Sequence, residues 1–483
     1  MWKFKSSLIL PVKPIIKNPI FKKVSEVAAE LKLDVYVVGG YVRDGFLERN
    51  SKDIDFMVVG DGIKFATLLA EKLNFKGEIA VHKNFGTAGF RYKDLELEFV
   101  GARKESYRSQ SRNPEVKPGT MVDDLNRRDF TINALAIALH PGKYGELVDL
   151  FHGLDDLEEG IIRTPLDPDT TYSDDPLRML RAIRFSAQLG FKIHPISLDA
   201  ISKNAARIEI IAKERIADEL NKMILSPNPS IAFKLLLNTG LLEYIFPEML
   251  ALHGVENVEG KGHKDNFYHT LQVLENVAEV SDDLWLRWAA IMHDIAKPPT
   301  KKFDPKIGWT FHGHEDLGAR MTPKIFKRLG LPLNQHMKYV QKLVRLHLRP
   351  IALVKEGISD SAIRRLIFDA GEDLEDLLVL CKADITSKNE FKVKKYLNNY
   401  EKLNKKLAEI EEKDRVRNFQ PPVSGEDIMA TYGIGPCHEI GLIKNAIKEA
   451  ILDGKIENDR IQAIALMKEK ALELGLVQKQ ELQ

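Results

Sequence analysis

Two hydrophobic periods divide this chain, and their order constrains its fold more than any other feature. Short β-branched runs cluster between residue 35 and about residue 150. Residues 35–38 (VYVV) read as a buried strand and 54–59 as a second, while 95–100, where glutamates alternate with apolar residues, read as a half-exposed third. Residues 63–73 read as a helix between them. From about Thr171 the apolar residues recur at helical spacing almost to the end, punctuated by Pro and Gly. This order predicts an α+β head, a small mixed sheet with helices, followed by an all-α remainder. Residues 102–124 are polar and charge-rich without a period, so a long loop is expected there. Residues 392–410 read as a highly charged helix, and IENDRIQAIALMKEKALEL near the end as an amphipathic one.

Composition narrows the function classes. A chain of 483 residues has room for roughly three or four domains. Its net charge of +1 gives no bulk field for a polyanion, so any nucleic-acid contact must rest on a local basic strip. Cys381 and Cys437 stand far apart, which excludes a disulfide framework or a Cys-rich zinc site and fits a reducing cytoplasm. The N-terminal residues mix apolar patches with lysines and prolines and do not read as a signal peptide. No run of about 18 apolar residues occurs, so no membrane span is expected.

The chemistry-bearing residues of the head lie in VYVVGGYVRDGFLERNSKDIDF. Asp53 and Asp55 open the second strand, where a period of 2 puts both carboxylates on one face. Such a pair suits Mg²⁺, which prefers oxygen ligands and keeps substrate phosphates in its shell. Glu96 or Glu98 can add a third carboxylate, and Glu98 is the candidate taken here. Gly39 and Gly40 follow a strand and open a helix, a turn that can present N–H groups to a phosphate. Arg43 can add a guanidinium, braced by Asp44.

GGYVRD followed by KDIDF resembles the signature of the polymerase-β-like nucleotidyltransferases, in the branch of bacterial CCA-adding tRNA nucleotidyltransferases and poly(A) polymerases. Three further stretches agree with this likeness. DDLNRRDFTINALA is similar to the family's RRDFT-x-NA motif, in which Arg128 matches a nucleotide-binding arginine. DDPLRMLRAIRF is similar to its EDxxR-type motif, with Asp in the first position, and KERIADELNKMI resembles a later helical motif. The resemblance implies template-independent addition of CCA to the 3′ end of tRNA from CTP and ATP. Poly(A) synthesis, partial addition of CC or of A, and a phosphohydrolase with a spent head are the alternatives. The resemblance also implies a mobile segment at residues 104–122 that helps the switch from C to A, and its presence favours full CCA addition.

Residues three apart on a helix are neighbours, so Asp175 and Arg178 are expected to face one planar base. Carboxylate accepts and guanidinium donates, a pattern that fits C and A and opposes U and G. Arg181 is read as a triphosphate or base-edge contact, and Arg184 as a phosphate contact or a structural arginine.

In the helical part, His269, the pair His293–Asp294 and Asp384 form an H…HD…D pattern suited to a transition metal such as Ni²⁺, Mn²⁺, Fe²⁺ or Zn²⁺. The set resembles the HD phosphohydrolase domain, and His314 and His347 match further histidines often found there. The implied chemistry is hydrolysis of a phosphomonoester or 2′,3′-cyclic phosphate. The expected division is a nucleotidyltransferase head (1–165), a nucleotide-selecting and RNA-binding neck (166–255), an HD domain (256–400) and a helical C-terminal body (401–483).

Overall fold

The structure is a computed structural model that describes residues 12, 14–83, 86–108, 111–356, 359–386, 390–414 and 420–480. The chain forms two compact units, Met1–Leu250 and Ala251–Gln483.

The first unit is organised by a seven-stranded sheet in the order β3-β4-β5-β2-β1-β8-β9. Its strands are β1 (Val35–Val38), β2 (Asp53–Val58), β3 (Ala80–His82), β4 (Thr87–Tyr92), β5 (Leu95–Gly101), β8 (Ala136–Ala138) and β9 (Leu147–Val148). Only β2 and β5 pair in parallel; the other pairs are antiparallel. Helices α1 (Pro19–Leu31) and α3 (Gly62–Lys72) cover one face, and α2 (Gly40–Phe46) crosses between β1 and β2. The pleat sorts the side chains of β2. Ile54, Phe56 and Val58 are buried, with Phe56 stacked on Phe99 of β5 at 4.6 Å and packed beside Phe21 of α1. Asp53 and Asp55 alternate with them and share the other face.

Residues 103–118, expected to be a loop, pair instead as a hairpin of β6 (Arg103–Arg108) and β7 (Ser111–Pro118). A two-stranded ribbon built from polar residues carries no hydrophobic alternation, so its backbone ladder left no period to read. Residues 109–110 lie outside the described residues.

After α4 (Met121–Asn126) and α5 (Gly153–Glu159), the first unit becomes helical. Its helices are α6 (Pro168–Asp174), α7 (Leu177–Leu189), α8 (Pro195–Asn204), α9 (Lys213–Ile224), α10 (Pro229–Asn238), α11 (Leu241–Ile245) and α12 (Pro247–Leu250). Short strands β10 (Ile161–Ile162) and β11 (Lys192–Ile193) pair in parallel. Helix α7 packs on α9 and α10, burying the stripe Leu177, Leu180, Ile183 and Ala187.

The second unit is helical, with two short ribbons that sequence periodicity missed because each strand has only two or three residues. These are β12 (Asn257–Val258) with β13 (Lys261–Gly262), and β14 (Lys302–Asp304) with β15 (Gly308–Thr310). The helices are α13 (Asn266–Ala278), α14 (Leu284–Met292), α15 (Lys297–Thr300), α16 (His314–Leu329), α17 (Gln335–Leu346), α18 (Arg349–Glu356), α19 (Asp360–Ala370), α20 (Leu374–Ala383), α21 (Glu390–Asp414), α22 (Gly425–Tyr432), α23 (His438–Leu452) and α24 (Arg460–Glu473). Trp288, Phe267 and Phe326 are fully buried in its core. Among the described residues no helix is long and apolar enough to cross a membrane.

Candidate functional sites

The head holds a cavity of about 300 Å³ lined by Asp55, Glu98, Arg103, Arg127, Arg128, Asp129, Asp175, Arg178 and Arg181, among others. Its acidic side comes from the parallel pair β2 and β5, whose register sets Asp55 opposite Glu98 and Asp53 opposite Glu96. Glu96 turns to Arg91, 3.5 Å away, whereas Glu98 lines the cavity. Burial raises the Asp55 carboxyl above its ordinary value; Arg128 opposes this and Asp53 adds to it. Glu98 is raised by burial and then by Asp55. These are carboxylates gathered without enough countercharge, the donor chemistry that suits a hard divalent cation.

The basic side is built by the stretch around RRDFT. Asp124 is buried and accepts from Arg127 Nε and Nη2 at 2.9 and 2.6 Å and from Arg128 Nη2 at 3.1 Å. Among the described residues, this leaves Arg128 Nε buried without a hydrogen-bond partner. Gly39, with φ of +75°, sits against the same groups. A Cβ there would lie 3.0 Å from Arg128 Nη1 and 3.5 Å from Asp55 Oδ2, so the turn needs glycine for conformation and for space. The Gly39 N–H, however, already donates to the Leu135 carbonyl.

The neck contributes the remaining wall. Asp175 is not helical as expected; its φ of −132° and ψ of 96° are extended. The cause is Pro176, because a residue before proline is pushed out of the α region. Asp175 Oδ1 accepts from Leu177 N at 3.2 Å, Arg178 Nη2 donates to the Arg127 carbonyl at 2.6 Å, and both residues still line the cavity. Arg181 is tied to Asp129 at 2.6 Å. Burial alone would raise Asp129, but Arg181 and the Asn133 amide outweigh it and hold the carboxyl at about 2.

Arg43 and Arg184 are not brought into the cavity. Arg43 bonds Asp44 and, at 2.7 Å, Asn133 Oδ1, with its guanidinium over Phe185. Arg184 is buried in an ion pair with Glu219 at 2.6 Å and also bonds Gln188. Gly40 opens α2 beside Arg43. Three residues that organise the cavity were not singled out from sequence: Asp124, Asp129 and Asn133. All lie within DDLNRRDFTINALA, and the signal was the acids and amides flanking the paired arginines.

The second unit gathers His269, His293, Asp294, His314, His347 and Asp384. Among the described residues, the groups whose ligand atoms all lie within 4.8 Å of one another are His269–His293–Asp384 and Asp294–His314–His347. Asp294 links them. Its Oδ2 is 3.4 Å from His269 Nε2 and 3.2 Å from His293 Nε2, and its Oδ1 is 3.2 Å from His314 Nε2 and 3.9 Å from His347 Nε2. Helix ends make this convergence feasible. His293, His347 and Asp384 follow the last turns of α14, α17 and α20, and His314 begins α16. At the C-termini of α14 and α17 the orphan carbonyls of Ala290 and Val344 accept from His293 and His347 Nδ1 at 2.7 and 2.6 Å.

The electrostatics of this centre favour ionised acids. Burial opposes it, but His293, Lys297 and His269 hold Asp294 well below the carboxylate range. Asp384 lies at about 2, with His269 as the main counterweight to burial. His347 is pushed down to about 4, chiefly by burial, and is neutral at physiological pH. Beside the cluster a cavity of about 370 Å³ is lined by Lys297, Trp309, Phe311 and His314, among others, with Lys297 Nζ 2.5 Å from Asp294.

Three stretches of the chain match known family models. Residues 35–163 match the family model for the poly A polymerase head domain, 190–252 that for the probable RNA and SrmB-binding site of polymerase A, and 266–388 that for the HD domain. A multifunctional CCA protein of Psychromonas ingrahamii is 33% identical over 75% of this chain and 87% of its own length. An A-adding tRNA nucleotidyltransferase of Deinococcus radiodurans is 34% identical over 70% of this chain and 77% of its own. The fold matches that of the Thermotoga maritima CCA-adding enzyme solved with tRNA, with a TM-score of 0.59 and 22% identity over 96% of this chain and 98% of that one.

Proposed function

This chain belongs to the CCA-adding tRNA nucleotidyltransferase family, and from that premise we propose that its head builds the CCA end of tRNA from CTP and ATP, releasing pyrophosphate. The carrying observation is the single cavity in which Asp55 and Glu98 face Arg128, Asp175, Arg178 and Arg181. Asp53 and Asp55 would hold Mg²⁺, with Glu98 beside them. The ion supplies charge neutralisation at the triphosphate and acidifies the attacking 3′-hydroxyl. The residues of the chain do the rest. The unpartnered Arg128 Nε donates to a phosphate oxygen of the incoming nucleotide. Asp175 accepts from the exocyclic amine of cytosine or adenine, and Arg178 donates to the adjacent ring acceptor. Uracil or guanine would set a carbonyl against Asp175 and leave buried groups unpaired. Arg43 and Arg184 act as braces in this reading.

The test is incubation with tRNA lacking its CCA end, with each nucleoside triphosphate alone and in mixture, followed by sequencing of the products. CCA addition that then stops is the expected result. The relationship to an A-adding enzyme favours a second reading, addition of the last A alone. That reading predicts extension of tRNA ending in CC and none of tRNA lacking all three residues. A homopolymer of A would instead indicate poly(A) synthesis.

We further propose that the second unit is a metal-dependent phosphohydrolase. His269, His293, Asp294 and Asp384 would hold a transition metal such as Ni²⁺, Mn²⁺, Fe²⁺ or Zn²⁺, with His314 and His347 as further ligands. Buried, unpartnered Nε2 atoms on His293, His314 and His347 support this fit. The ion supplies Lewis acidity toward a phosphoryl oxygen and acidifies water. Lys297 would hold the anionic substrate, and Phe311 and Trp309 offer an aromatic wall for a base. Hydrolysis of a 3′-phosphate or 2′,3′-cyclic phosphate would clear a blocked RNA end before CCA is rebuilt. The reading fails if metal-supplemented protein hydrolyses neither. We assign both activities to the cytoplasm, consistent with two free cysteines. The domain limits we propose are 1–165, 166–255, 256–400 and 401–483, supported by the family matches and the two compact units.

A further inference from the structure

The four imidazoles of the second centre are oriented by two different devices. His293, His314 and His347 each direct Nδ1 to a backbone carbonyl three residues back, Ala290, Phe311 and Val344, at 2.7, 2.7 and 2.6 Å. A carbonyl only accepts, so Nδ1 carries a proton and Nε2 is the atom turned toward a ligand. Among the described residues His269 has no such carbonyl. Its Nδ1 lies 2.8 Å from the Thr386 hydroxyl and 3.1 Å from Lys264 Nζ. Lys264 also donates to Thr386 Oγ1 at 2.6 Å and to the Thr386 carbonyl at 3.1 Å. His269 Nε2 is 2.9 Å from Asp384 Oδ1.

A hydroxyl has one donor and two acceptor positions. Thr386 Oγ1 can therefore accept from Lys264 and still either donate to His269 Nδ1 or accept from it. An ammonium can only donate, so Lys264 by itself favours an unprotonated Nδ1. That tautomer puts the proton on Nε2, where it points at Asp384 and blocks ligation.

We propose that Thr386 is a positioning residue of the metal centre, whose hydroxyl accepts from His269 Nδ1–H and so holds Nε2 turned toward the ligand position. Thr386 thereby does for His269 what backbone carbonyls do for the other three histidines. This inference rests on the reading of the cluster as a metal centre.

The experiment titrates Mn²⁺ by calorimetry into metal-stripped full-length protein carrying Asp55→Asn, which silences the head, alone and with Thr386→Val or Thr386→Ser. Thr386→Val should weaken binding roughly 10–100-fold, the usual cost of losing a group that orients a ligand. Thr386→Ser, which keeps the hydroxyl, should stay within about threefold of the parent. Metal-free melting temperatures should agree across the set, separating orientation from folding. Unchanged affinity in Thr386→Val, or no rescue by serine, overturns the proposal while the metal reading stands. No binding by the parent overturns the metal reading and this proposal together.

Discussion

The head presents its carboxylates along a strand with Asp53 exposed to solvent, whereas the second unit buries its ligands where helix ends meet. In the head, Asp55 and Glu98 are held above their ordinary proton affinity and Arg128 Nε has no partner. In the second unit, Asp294 and Asp384 are held below theirs, and three rings are already oriented by a backbone carbonyl at Nδ1. The first arrangement is incomplete without substrate phosphates and their cation. The second is a preorganised cage. The contrast teaches that metal binding should depend on nucleotide in the head and be independent of substrate in the second unit.

The largest expected effect separates the two centres outright. Asp55→Ala should lower nucleotide transfer by roughly 10³-fold or more while leaving phosphate-ester hydrolysis intact. Asp294→Ala should do the reverse. Both activities are to be measured on one preparation of each variant. Loss of both from either substitution would break the comparison, because it would mean one centre serving two reactions.

The next effect concerns how the head's basic wall is held. Asp129 is buried, whereas the Arg181 side chain is 35% exposed and stays partly hydrated, so Asp129→Ala should cost about 1–2 kcal/mol of stability. The sign with pH follows from its low folded value. The contribution of Asp129 is present above the ordinary carboxyl range and is lost only as pH falls toward about 2. Chemical denaturation at pH 7 measures the loss, and a variant as stable as the parent would show that Arg181 finds another acceptor.

How much of this was legible in sequence follows the same division. The limits of β1, β2 and β5, the glycine turn and the shared face of Asp53 and Asp55 were readable because period 2 and local turn chemistry are written in adjacent residues, whereas β3, β4, β8 and β9 went unread. That His269, His293, Asp294 and Asp384 would converge was readable from the H…HD…D pattern, which resembles the HD domain. The ribbon at residues 103–118 was not, since a polar two-stranded ladder is held by backbone hydrogen bonds. The Asp44 brace of Arg43 was readable, and Arg184 was left open between a phosphate contact and a structural arginine, but their other partners were hidden. Only tertiary packing reveals that Asn133, 90 residues on, and Glu219, 35 residues on, take up their guanidinium groups. The break at Asp175 could have been found, because Asp-Pro is a local signal against helix.

Arg184 supplies a smaller test. Arg184→Met should destabilise the neck by removing the partner of buried Glu219, yet change the KM for CTP and ATP by less than about threefold, since the group lies outside the cavity. A large rise in KM with unchanged stability would restore it as a phosphate contact.

The smallest expected effect is the most direct probe of the contrast, because it turns on sign. Asp55 and Glu98 have raised folded values, so their contribution to stability is present below the ordinary carboxyl range and is lost as pH rises through those values. At pH 7 the metal-free head therefore carries two carboxylates that would be better neutral. Asp55→Asn should raise the metal-free Tm by no more than about a few degrees. Adding Mg²⁺ with a non-hydrolysable ATP analogue should reverse the order, stabilising the parent and not the variant. In the second unit the acids are depressed, and their stabilisation is lost as pH falls through the folded values, so Asp384→Asn should lower the metal-free Tm at pH 7. Calorimetric melts of the two variants at pH 5 and pH 7 decide the matter. Shifts of the same sign in both would mean that the head is a preformed cage as well, and the distinction between a site completed by its substrate and one complete beforehand would fall.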